Sequence, residues 1–106
     1  MDAGDLTKRA TFQRPEMGRD GDGNQILAYV DDHAGWVHLR PLRGGESVMA
    51  ARLASKAPAI VTLRASANAR RVTSEWRVLI EGRTYEAKED PRETQDRAYL
   101  ELLAEG

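Results

Sequence analysis

The chain has 106 residues, 41% of them hydrophobic, and no cysteine. That is room for one domain, residues 1–106, with one modest core held by packing alone; disulfides and thiolate metal sites are excluded. With 16 basic against 17 acidic residues the net charge is -1, which argues against a dedicated nucleic-acid or anionic-membrane binder and leaves only local patches open. No apolar run is long enough to span a bilayer, and MDAGDLTKR lacks the apolar segment of a secretion signal, so a protein that is made in a reducing cytoplasm and stays soluble is expected.

From the N-terminus, ATFQRP and ILAYV are β-prone segments on either side of GRDGDGNQ, Gly18 to Gln25. Asp20, Asp22 and Asn24 have the spacing that opens a calcium-binding loop, but the sixth position is Gln25 instead of glycine and the twelfth is Asp31 instead of glutamate. Without flanking helices the stretch reads as a long solvated hairpin connection, and no calcium is expected there. WVHLRPL is a further strand, ended or pushed to an edge by Pro41, which cannot donate a ladder hydrogen bond. GGESVMAARLASKAP breaks the pattern: Ala50, Leu53, Ala54 and Ala57 recur at helical spacing, Glu46 sits in a first turn and Pro58 stops continuation. One short, weakly packed helix between strands is predicted, entered through Gly44 and Gly45.

Alternation returns in APAIVTLRAS, with Ala59, Val61, Leu63 and Ala65 on one face and Thr62 and Arg64 on the other. It continues in EWRVLIEG, with Trp76, Val78 and Ile80 inward. A hairpin follows at Glu81-Gly82-Arg83, after which Tyr85 and Ala87 resume the inward face. RAYLELLAEG is compatible with strand or helix, and strand is preferred as the element that closes a small barrel. The predicted fold is mainly β, a small β-barrel with one short helix inserted between strands. Its expected core includes Phe12, Trp36, Val61, Leu63, Trp76, Val78, Ile80, Tyr85 and Leu102.

Residues for chemistry are sparse. His33 and His38 lie five apart, on opposite faces of any strand, so they cannot share a metal without a bend, and they read as surface histidines beside Asp31 and Asp32. Ser47, Ser55, Ser66 and Ser74 sit in no nucleophile-elbow context, and no glycine-rich loop opens a helix with a phosphate-cradling lysine. No enzyme, cofactor or metal is expected. Trp36 with Arg70, Arg71 and Arg77 supplies the raw material of a monomeric OB-like nucleic-acid-binding barrel, the alternative function.

The order of the segments carries more than any one of them. AGDLTKRATFQRP with Gly4, Leu6, Arg9 and Gln13, the turn DGDGN, GWVHLRPLRGGE with Trp36, Pro41 and Glu46, IVTLRAS with Arg64, and RVLIEGRTYEAKEDPRE together resemble the phage head-tail joining proteins. These are also called head-completion or stopper proteins and include gene transfer agent homologues. The resemblance covers nearly the whole chain. It implies a virion connector in the particle neck: a homo-oligomeric ring, generally dodecameric, between a portal or adaptor protein and a tail terminator or tail tube protein. Such a ring closes the channel over packaged double-stranded DNA and offers the tail its docking surface, with no membrane involved. On that reading Arg43 to Pro58 is the candidate channel-facing plug. There Arg43, Gly44, Gly45, Glu46, Arg52 and Lys56 would face the channel, where either the glutamate repels phosphate or the cations grip the DNA end instead, two alternatives the residues leave open. ELLAEG ends soon after the last predicted strand, so any tail-contacting extension would be expected to come from elsewhere.

Overall fold

In a computed structural model the residues described are 3–42 and 58–106. Segment 43–57, which holds the expected helix and the plug residues Arg43, Gly44, Gly45, Glu46, Arg52 and Lys56, lies outside the described residues. The strands are β1 (Lys8–Arg19), β2 (Gln25–Pro41), β3 (Pro58–Arg64), β4 (Arg77–Ile80), β5 (Arg83–Ala87), the two-residue β6 (Arg92–Glu93) and β7 (Tyr99–Glu105). A single 3-10 turn, Ala69–Arg71, links β3 to β4.

All pairings are antiparallel, in the order β3-β2-β1-β4-β5-β7. β7 then pairs along its whole length with β3, from Pro58 opposite Glu105 to Arg64 opposite Tyr99, so six strands close into a ring, while β6 adds to β7 alone. Closure leaves few unpaired edges in the body, which is how a small sheet avoids edge-to-edge association. RAYLELLAEG thus supplies a strand, and its period of two turns Leu100, Leu102 and Ala104 inward. They meet Ala59, Val61 and Leu63 from β3, Val78 and Ile80 from β4, Tyr85 and Ala87 from β5, and Ala10 and Phe12 from β1. Thr62, expected on the outer face, is nonetheless buried, lying between His38 and Glu101 in the two ladders that flank β3.

Trp36 does not belong to this core. It is 54% exposed and faces outward, with the Arg9 guanidinium 5.5 Å from its ring centre. The reason is register: Val37, opposite both Lys8 and Leu63, is the fully buried residue, and alternation then forces its neighbour to the other face. WVHLRPL has apolar residues in both phases, so its period alone did not decide which one turned inward.

The β4–β5 connection is the tightest in the molecule. Ile80 pairs with Arg83, and the two residues between them, Glu81 and Gly82, have φ of 50° and 83°, the conformation of a type I′ turn. Gly82→Ala has open space for its methyl group but not the backbone freedom. It should destabilise the domain by about 1–2 kcal/mol in a chemical denaturation experiment; an unchanged midpoint would show that the turn relaxes.

β1 and β2 outrun the ring. β4 covers β1 only from Ala10 to Gln13, and β3 covers β2 only from Val37 to Pro41. Arg14–Arg19 and Gln25–Val30 therefore pair solely with each other, as a two-stranded arm about 20 Å long by strand rise.

Candidate interaction surface

The arm is set at its base by a β-bulge. Phe12 pairs with His33 and Gln13 with Asp31, so Asp32 is the extra residue on β2. Two adjacent aspartates disfavour a strand, and the bulge removes the conflict by turning Asp32 onto a cluster of donors. Its side chain is only 6% exposed and accepts hydrogen bonds from Arg71 at 2.5 and 2.9 Å, while Arg14 Nε lies 3.2 Å away. Hydrogen bonds from Arg71, then from His33, hold the Asp32 carboxyl down to about 2. A carboxylate only accepts, so the 2.7 Å contact with His33 Nδ1 places the proton on that nitrogen. The imidazole stacks on Phe12 with centroids 4.8 Å apart and meets Trp76 edge-on at 6.1 Å. His33 is therefore largely buried, contrary to its expected place on the surface, whereas His38 pairs opposite Thr62 on the other face.

A second set of contacts fixes the outer side of the arm. Gln13 donates to Asp31 at 2.7 Å and accepts from Arg77 Nε at 2.8 Å, and the Arg77 guanidinium lies 4.1 Å from the centre of the Tyr29 ring. The arm is thus pinned at its base on both faces, while its outer part rests on the pairing of its own two strands.

What it projects is apolar. Met17 is 60% exposed, Leu27 56% and Ile26 44%. Met17 pairs with Leu27 and Pro15 with Tyr29, so these four share one face. Where β1 peels away from β4, that face and the body enclose a groove of about 560 Å³. Met17, Leu27, Tyr29, Trp76 and Ala87 make its apolar lining, and Glu16, Glu75 and Glu86 bring carboxylates to it. An apolar groove beside an exposed apolar hairpin is the kind of surface that a partner covers.

The residues expected to read nucleic acid are not gathered. Arg70 is bonded to Glu93, Arg71 to Asp32 and Arg77 to Gln13, each serving the fold. In the tip, Asp20 Oδ1 accepts the backbone N–H groups of Asp22 and Asn24, both at 2.9 Å, and its carbonyl accepts from Gly23 at 3.1 Å. The bonds from Asn24 and then Asp22 hold its carboxyl below the ordinary range. GRDGDGNQ accordingly turns a hairpin, with its first carboxylate committed to the turn. The arm was the feature sequence reasoning missed; the available signal was that Met17, Ile26 and Leu27 flank a turn without a core to receive them.

Comparison with curated proteins finds none that matches. Among solved structures, the chain is similar to a protein from Shigella flexneri 2a determined in solution, with a TM-score of 0.71 at 20% identity over 99% of this chain and 96% of that one. It is also similar to a chain in the virion of a native gene transfer agent particle, with a TM-score of 0.66 at 22% identity over 94% of this chain and 93% of that one. At these identities the likenesses establish the fold. The phage head completion protein family matches residues 1–106. With the family matched from end to end and the ring of strands shared with a virion protein, the chain belongs to the phage head completion proteins.

Proposed function

We propose that this protein works as a ring between the portal or adaptor and the tail, closing the DNA channel of the filled head and presenting the surface on which the tail docks. The observation that carries the reading is the exposed apolar arm on a closed ring of strands. It is an element built for contact between proteins, in a chain whose family is that of a structural virion protein. The chemistry agrees: the charged groups of the site, Asp32, Arg71, Arg14 and Arg77, are spent on holding the arm. A heterologous contact repeated around an axis closes a ring when the rotation closes.

Particles assembled without this chain should contain filled heads that lose DNA and carry no tails, and electron microscopy of complete particles should show a ring of it in the neck. Tailed, DNA-retaining particles lacking the chain would overturn the reading. The monomeric OB-like binder keeps one observation in its favour, the exposed Trp36 with Arg9 over its ring. Micromolar or tighter affinity for single-stranded DNA, falling steeply with salt, would select that alternative.

A further inference from the structure

Resting on the ring reading, we infer that the groove beneath the arm receives Trp36 and Arg9 of the next copy of this chain. The occupant follows from the groove's chemistry. Its floor of Met17, Leu27, Tyr29 and Trp76 calls for a large apolar group; on its rim Arg14 already bonds Glu16 and Lys88 lies 3.7 Å from Glu86, and Glu75 adds a third carboxylate that suits a cation beside the apolar group. Two grooves facing each other across a two-fold axis would bring both sets of carboxylates together, so the face does not complement itself.

Among the described residues four large hydrophobic side chains are exposed, and three of them, Met17, Ile26 and Leu27, belong to the arm. The fourth is Trp36, 54% exposed in the ring body. It carries what the groove requires: the Arg9 guanidinium lies 5.5 Å from its ring centre, and Arg64 lines the same cleft. Tryptophan and arginine are the side chains that most often anchor interfaces, because they combine a large apolar area with a polar edge. Donor and acceptor also sit apart on the chain. Trp36 and Leu27 are separated along β2 by roughly 20 to 30 Å of strand. One copy can therefore fill its neighbour's groove while its own is filled, as a heterologous ring demands.

The absence of cysteine allows a direct test. Ala34→Cys places a thiol on the outward face beside Trp36, and Ser74→Cys places one in the groove, leaving Trp36, Arg9 and the carboxylates intact. Under mild oxidation the purified double variant should form disulfide-linked chains that continue beyond dimers. It should do so at least about ten-fold faster than a control pairing Ala34→Cys with Arg92→Cys, since docking raises the local thiol concentration. Adding Trp36→Ala should return the rate to that of the control. Equal rates, products that stop at dimers, or indifference to Trp36→Ala would each overturn the contact. A neck ring seen in particles whose chains fail this test would sink the groove assignment alone, whereas fast cross-linking with no such ring in particles would sink the ring reading.

Discussion

Trp76→Ala should lower the free energy of unfolding by about 3–5 kcal/mol, the cost of deleting a large aromatic side chain from a packed core. For a domain of this length that corresponds to a loss of more than about 10 °C in melting temperature. The indole is buried against the His33 ring, and its backbone is tied on both sides: Trp76 N–H donates to Thr73 and its carbonyl accepts from Ala87. Collapse of the void is therefore hindered, and the cavity term remains. Because Trp76 also floors the groove, the substitution removes support from beneath the arm as well as from the core. Trp76→Phe, which keeps most of the apolar area, should recover most of the loss. An unchanged melting temperature for the alanine variant would show that the Trp76 indole contributes nothing to the core.

The second large effect is expected at the arm's base. Asp32→Asn removes the charge that Arg71, Arg14 and the His33 N–H converge on, and should cost about 1–3 kcal/mol, in the range for losing hydrogen bonds to a charged group. Arg71 and Arg14 are about half exposed and can be rehydrated, which keeps the cost below that of a fully buried broken pair. The pH dependence fixes the sign. The folded carboxyl titrates at about 2, below its ordinary 3.8, so the ionised form is the one the fold favours. Its contribution is fully present above the unfolded value and is lost as pH falls from about 4 through about 2. The stability gap between the native protein and Asp32→Asn should thus be flat near neutrality and narrow across that acid window. A gap that does not change with pH would mean that the charge of Asp32 contributes nothing, and that the asparagine acts through geometry alone. Amide exchange should also quicken at Gln25–Asp31 in the variant while the ladder between β3 and β7 keeps its protection.

Most of the ring was legible in the residues. Val61 and Leu63, Val78 and Ile80, and Leu100 and Leu102 take the buried phase of their strands, with Ile60, Leu79 and Leu103 the apolar residues of the other phase, and a side-chain period of two leaves one buried face for each strand. Glu81-Gly82 stands between two such runs, and a turn with two positive φ values is what glycine permits there. The order of these segments also carried the family, because it is set along the whole chain and not at one motif. Three matters were decided only by tertiary structure. Trp36 turned outward because Val37 took the inward phase when β2 met β3, a choice made by pairing partners that the segment itself does not contain. His33 moved from the surface into a stack on Phe12 because a bulge at Asp32 shifted the register, and that bulge is stable only where Arg71, thirty-nine residues later, supplies its counter-charge. The arm exists because β1 and β2 are longer than the strands that flank them. Strand length is written locally, but the point at which a strand loses its neighbour, and so exposes Met17 and Leu27 instead of burying them, depends on where the rest of the chain ends its own pairing.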